Sequence, residues 1–144
     1  MNMEPKYFTL RELIASSTAK KMGIDNTPSW NELTALKMLA MDVLDPIRVL
    51  WGHPIIVNSG YRCRELNAAV GGAQNSQHMC KGMTAAADIT AGNRRSNMLL
   101  ADMVRESNIQ YDQLIVEDGG RWLHVSFSLN PRRQTIGISC NPTP

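Results

Sequence analysis

The stretch QLIVEDGGRWLHVSF, residues 113–127, has the clearest β-strand pattern in the sequence. β-Branched and other apolar residues recur on both sides of Asp118-Gly119-Gly120, and paired glycines between two such runs are typical of a tight turn. The stretch therefore predicts a β-hairpin with one strand over residues 113–117 and the next over residues 121–127.

The length of the hairpin loop decides which side chains share a face. A two-residue loop at Gly119-Gly120, or a four-residue loop over 118–121, pairs Glu117 with Trp122, whereas a three-residue loop reverses the faces. With either of the first two loops, Trp122, His124 and Ser126 lie on one face of the sheet. Glu117 then lies on that face too, diagonally across from His124 at roughly 7–8 Å between backbones.

The rest of the chain supplies helices and further strands. Thr9 to Glu12 and Ser29 to Glu32 have the form of capping boxes and predict a short first helix and a long second one. Apolar residues at three- and four-residue steps give the long helix one buried face, and Pro46 predicts a kink, or a break and restart near Asp45. Further predicted elements are a buried strand over 54–58, a helix over 62–70, a loop over 71–81, a strand over 85–90, a helix over 96–106 and a last strand over 135–139. This order predicts an α+β fold, a single domain over residues 1–144 with a small antiparallel sheet packed against helices.

Composition narrows the classes of function. A net charge of +2 gives no broad basic surface, so we expect no nucleic-acid partner, and no apolar run is long enough to cross a membrane. Cys63, Cys80 and Cys140 are odd in number and lack a CxxC spacing, which indicates free thiols and synthesis in a reducing compartment. The first residues lack the apolar region of a signal peptide, so we expect synthesis in the cytoplasm and another route to any target outside the cell. We also expect a monomer.

Three residues form a candidate metal site. His78 lies in a polar loop, Asp88 in an apolar run ten residues later, and His124 in the hairpin. Two imidazoles and one carboxylate, with one position left open, are a ligand set suited to a catalytic zinc ion (Zn²⁺), which lowers the pKa of its bound water to about 7. Glu117 could take the proton of that water, and Arg62 is the best candidate to stabilise the oxyanion. Either histidine alone could equally be structural, and Glu117 could pair with Arg121.

Several short motifs occur together along most of the chain, from Tyr7 to about Ser128. They are SGYR at 59–62, LN at 66–67 with VGG at 70–72, SQH at 76–78, ADI at 87–89, Glu117 and WLHV at 122–125. Together they resemble the D-alanyl-D-alanine carboxypeptidase-like zinc peptidases, which include vancomycin-resistance dipeptidases and phage endolysins and share their fold with the hedgehog signalling domain. The small phage-type branch is the most similar.

The resemblance implies a role for each site residue. His78, Asp88 and His124 would bind one zinc ion, Glu117 would be the catalytic base and Arg62 would stabilise the oxyanion. Ser76 would help to hold the substrate, a peptide of bacterial peptidoglycan that contains D-alanine. Trp122 could line the cleft or only cover the hairpin. The enzyme would be a carboxypeptidase or an endopeptidase that acts on the cell wall once released, as phage lysins do.

The sequence departs from the family pattern in two places. The family usually has six residues between its first histidine and its aspartate, whereas nine residues separate His78 from Asp88 here. Many relatives also carry an acid three residues before the second histidine, where this chain has Arg121. These departures favour one alternative, a non-catalytic zinc-binding module of the same fold that binds wall peptide or a protein partner.

Overall fold

The computed structural model describes residues 4–138. The helices and strands, with the short turns between them, follow one another as α1 (Leu10–Ile14), α2 (Ser17–Met22), α3 (Trp30–Leu39), a π-helical segment (Ala40–Leu44), α4 (Asp45–Trp51), β1 (Ile56–Ser59), α5 (Arg64–Ala69), two 3₁₀ turns (Gln77–Met79 and Lys81–Met83), β2 (Thr84–Thr90), α6 (Arg94–Glu106), β3 (Gln113–Glu117), a 3₁₀ turn (Asp118–Gly120), β4 (Trp122–Ser128) and β5 (Gln134–Ile136). No helix among these residues is long and apolar enough to cross a membrane.

The five strands form one sheet in the order β1-β2-β4-β3-β5. The first three neighbour pairs are antiparallel, which confirms the predicted α+β class, but β5 runs parallel to β3. The sheet is therefore mostly antiparallel, as predicted, and its last strand is the parallel exception. After β4 the chain crosses to the far side of β3, where Arg133 and Gln134 donate backbone hydrogen bonds to Tyr111 and Asp112 at the start of β3. The predicted residue Ser139 lies outside the described part of the chain.

A strand forms where one was predicted at 54–58, but the prediction that it is buried was wrong. β1 lies at an edge of the sheet, its residues alternate between exposed and half-buried, and Ile56 is 60% exposed. A β-branched run predicts a strand but does not distinguish an edge from the centre. The buried strand is β2, in which the five residues from Ala85 to Ile89 are buried.

The helices before β1 pack against the sheet and supply about a third of the buried core residues, including Leu36, Leu39 and Ile47. Both predicted capping boxes form, at Thr9 and at Ser29. The long helix changes to π-helical hydrogen bonding over Ala40–Leu44 and resumes α-helical bonding at Asp45, as the proline predicted, because Pro46 has no N–H to donate and its ring crowds the preceding turn. The sequence did not predict α2, which Ser16 caps at its start.

The hairpin register agrees with the predicted pairing. Glu117 lies opposite Trp122 and Ile115 opposite His124, and the loop comprises the four residues 118–121. Glu117 is therefore diagonal to His124 on the same face of the sheet. On its other side β4 pairs with β2, and Asp88 lies directly opposite His124.

Candidate metal centre

The pairing of β2 with β4 brings two of the predicted zinc ligands together. Asp88 and His124 are cross-strand partners, and Nδ1 of His124 lies 3.3 Å from Oδ1 of Asp88. Asp88 is 8% exposed although it carries a carboxylate, so the sheet holds an ionisable group at the floor of a cleft. The pairing of β2 with β4 is therefore enough to place Asp88 beside His124.

The third predicted ligand, His78, comes from the 3₁₀ turn Gln77–Met79. The Ser76 hydroxyl accepts a hydrogen bond from the backbone N–H of His78 and caps the turn. Nδ1 of His78 lies 2.7 Å from the carbonyl oxygen of Gly60, which can only accept, so this nitrogen carries the proton. Nε2 faces the site, 3.2 Å from Oδ1 of Asp88, and is the nitrogen that would bind a metal ion.

The three side chains fit a zinc ion by the chemistry of their donors. One ligand atom from each of His78, Asp88 and His124 lies within 4.8 Å of the others, and the two imidazole rings are 5.1 Å apart between centroids. The Gly60 carbonyl behind His78 is the kind of outer partner that fixes the tautomer of a metal-binding histidine. Burial raises the pKa of Asp88, but hydrogen bonds with His124 and His78 outweigh this effect and hold it below its ordinary value. The carboxylate is therefore charged.

Arg62 lies beside the cluster and is firmly held. Its guanidinium donates to the Ser59 hydroxyl at 3.1 Å, to Oδ1 of Asn67 at 3.1 Å and to Oδ2 of Asp88 at 3.3 Å. Burial lowers the pKa of Arg62, and the Asp88 carboxylate partly restores it. Three of the five guanidinium N–H groups are used in this way, which leaves two further donors.

Two supporting residues were not assigned roles from the sequence. Asn67, 4% exposed, accepts from Arg62 and donates to the carbonyl of Ala73, so it joins the arginine to the following loop. Gly72 packs so tightly here that a Cβ atom would lie 2.0 Å from Oδ1 of Asn67. Both residues belong to the LN and VGG motifs that carry the family resemblance, and this was the available signal for a special role.

The remaining predicted residues lie in the same open cleft of about 540 Å³, whose wall includes the three candidate ligands with Ser76, Glu117 and Trp122. No described residue forms an ion pair with the Glu117 carboxylate, because Arg121 pairs with Asp118 instead, at 3.4 Å. The structure thus brings every predicted site residue to one cleft.

A second polar network lies behind the His78 loop. The Glu32 carboxylate accepts from the Tyr61 hydroxyl at 2.8 Å, from the backbone N–H of Ser29 at 2.9 Å and from the Lys81 ammonium group. Burial raises the pKa of Glu32, but these donors, Lys81 foremost, lower it to about 2. Tyr61 directly precedes Arg62, and Lys81 follows His78 by three residues. The network therefore links α3 to the two stretches of chain that carry these site residues.

Comparison with known proteins agrees with the geometry. No curated protein shows significant sequence similarity to the chain. A family model described as Peptidase M15 matches residues 6–126, which include all of the candidate ligands and the other predicted site residues. Because this match covers most of the chain, the protein belongs to the Peptidase M15 family of zinc-dependent, D-Ala-D-Ala carboxypeptidase-like peptidases.

Proposed function

We propose that this protein is a zinc metallopeptidase that hydrolyses peptide bonds of bacterial cell-wall peptidoglycan, in stem or cross-link peptides that contain D-alanine. The family supplies the reaction class and the peptide substrate. The single observation that carries the proposal is the convergence of His78, Asp88 and His124 within 4.8 Å at the floor of a cleft.

In this proposal the same three residues hold the zinc ion. When bound, zinc supplies a Lewis acid that polarises a peptide carbonyl and lowers the pKa of water. The protein supplies rigidity: Gly60 fixes the His78 ring, and the strand pairing fixes Asp88 against His124.

Glu117 is the proposed general base. Its carboxylate oxygen takes a proton from the attacking water and returns it to the nitrogen of the leaving amine. Its place in the cleft wall, diagonal to His124 and without an ion-pair partner among the described residues, supports this role. Such a carboxylate lies near the ligands without being one of them.

The other proposed roles concern the substrate. The two remaining N–H groups of Arg62 donate to the oxyanion that develops at the attacked carbonyl. The Ser76 hydroxyl accepts from His78 and retains its own O–H, which can donate to a peptide carbonyl. Trp122, half-buried in the cleft wall, packs against the peptide chain.

The decisive experiment combines metal analysis with a Glu117→Gln variant. The wild-type protein should bind one zinc ion per chain and release fragments from purified cell walls, lose this activity with a chelator and regain it with added zinc. Glu117→Gln should keep the zinc and lose roughly 10²–10⁴-fold in turnover. Glu106→Gln, a change at a carboxylate that is 72% exposed on α6, serves as the matched control and should leave turnover unchanged.

The alternative of a non-catalytic binding module predicts a different outcome. Such a module would bind zinc and wall peptide, would release no fragments, and would lose nothing when Glu117 is replaced. Zinc-loaded protein that leaves both walls and D-alanine-ended peptides uncut would overturn the peptidase proposal.

A further inference from the structure

A second cavity adjoins the catalytic cleft. This side cavity, of about 620 Å³, is lined by residues of α5, the loop after it and the segment following His78. It shares Gly72 and Asn75 with the cleft wall, so the two cavities are direct neighbours.

The side cavity has a distinct charge. Arg64 and Lys81 are the charged residues in its wall, and no acidic residue lines it. Arg64 is exposed, and its guanidinium has no hydrogen-bond or ion-pair partner among residues 4–138. Lys81 pairs with Glu32, yet 69% of its side chain remains exposed, and Glu32 itself is buried against Tyr61 rather than in the cavity wall.

One wall of the side cavity comes from the segment that connects two candidate ligands. Met79 and Lys81 both belong to the nine residues between His78 and Asp88. This segment therefore contributes a cation next to the cleft, in addition to connecting the two ligands.

The cleft itself offers no equivalent cation. Arg62 is the cationic side chain among its described lining residues, and it is already bound to Asp88, Ser59 and Asn67. A substrate carboxylate therefore meets its first uncommitted cation, Arg64, in the side cavity.

We propose that the side cavity is a subsite for a carboxylate of the substrate, so that the enzyme prefers peptides that carry an acidic group a short distance from the bond it cuts. This inference rests on the proposed peptidase function and deepens it. In an open cavity, a paired carboxylate and guanidinium improve binding by up to about fivefold, and salt weakens the effect.

A series of matched peptides tests the subsite. The probe is a D-alanine-ended stem pentapeptide with one carboxylate at its glutamate residue and one at its C terminus, prepared in three forms: both carboxylates free, only the first amidated, and only the second amidated. Affinity is measured by tryptophan fluorescence and by calorimetry on the zinc-loaded Glu117→Gln protein, which holds the peptide without cutting it. Comparing the three forms identifies which carboxylate occupies the cavity.

We expect one amidation to weaken binding about two- to fivefold, and Arg64→Gln to abolish most of this difference. Lys81→Gln should reduce it and Lys81→Arg should restore it, while Arg95→Gln, an exposed arginine on α6 outside both cavities, should leave it intact. Equal affinity for all three forms, or a preference that survives Arg64→Gln, overturns the subsite while the peptidase proposal stands. Failure of the zinc-loaded wild type to bind or cut any form overturns the peptidase proposal and the subsite with it.

Discussion

Replacing Gly60 by alanine tests how the protein aims His78 at the metal centre. Gly60 directly follows β1 and packs against Leu13 of α1. Its carbonyl oxygen accepts a hydrogen bond from Nδ1 of His78 at 2.7 Å. Its φ lies outside the left-handed region, so alanine causes no backbone strain at this position. The effect of the substitution is therefore steric.

The magnitude follows from one contact. A Cβ atom on residue 60 would lie 2.1 Å from the carbonyl oxygen of Leu13. Because real Cβ atoms essentially never come within 3.0 Å of such a neighbour, α1 and β1 must move apart by about 0.9 Å. The hydrogen bond from the Tyr61 N–H to the same oxygen, 2.7 Å long, would then exceed hydrogen-bonding range. Overpacking and the lost hydrogen bond together should cost about 2–4 kcal/mol of stability.

The zinc affinity should fall as well, by roughly 10- to 100-fold, because the displaced carbonyl no longer orients the His78 ring. Urea unfolding of the zinc-free protein measures the first effect, and competition with a chromophoric chelator measures the second. Gly52→Ala is the matched control. Gly52 has a φ of +77° and no atom within 4 Å of its would-be Cβ, so alanine there costs about 1 kcal/mol of stability and leaves zinc affinity unchanged.

The two readouts separate the possible failures. If Gly60→Ala is destabilised but binds zinc like the wild type, the carbonyl does not orient His78. If it is as stable as the wild type, the close packing against Leu13 is not a constraint.

Three further predictions concern stability. Glu32 has a pKa of about 2 in place of 4.5, so its contribution to the free energy of unfolding is complete above pH 4.5 and is lost as pH falls toward 2. Between pH 5 and pH 2 the unfolding free energy of Glu32→Gln should therefore fall by about 3 kcal/mol less than that of the wild type. Asn97, fully buried, accepts from the Ala91 N–H and donates to the Gly120 carbonyl, so Asn97→Ala should lower the urea-unfolding free energy by about 2–4 kcal/mol. Zinc at 100 times its dissociation constant should stabilise the wild type by about 2.7 kcal/mol in thermal or urea unfolding and leave His124→Ala almost unaffected.

The sequence predicted those parts of the site that depend on strand periodicity. Alternation along residues 121–127 placed His124 and Glu117 on one side of the sheet provided that the loop has two or four residues, and the observed four-residue loop meets this condition. Placing Asp88 near them required the family resemblance, because no local pattern states which strands become neighbours in space.

Contacts between distant segments could not be predicted in this way. Arg62 was expected to be available for an oxyanion, yet it also pairs with Asp88, 26 residues away. The edge position of β1 and the parallel pairing of β5 have the same origin, since a residue pattern specifies a strand but not its neighbours. The Gly60 carbonyl is a backbone group, so no residue type could have indicated it.

The longer segment between His78 and Asp88 does not separate these residues, because each is held by a contact outside the segment. Strand pairing with His124 fixes Asp88, and the Gly60 carbonyl fixes His78. Within the segment, two non-glycine residues, Cys80 and Met83, adopt left-handed φ angles of 57°. Each such residue costs roughly 1–2 kcal/mol, so the segment is the strained part of the site and the cluster is not. Evolution or engineering can therefore vary the length and charge of this segment, and with it the side cavity, without altering the arrangement of the candidate zinc ligands.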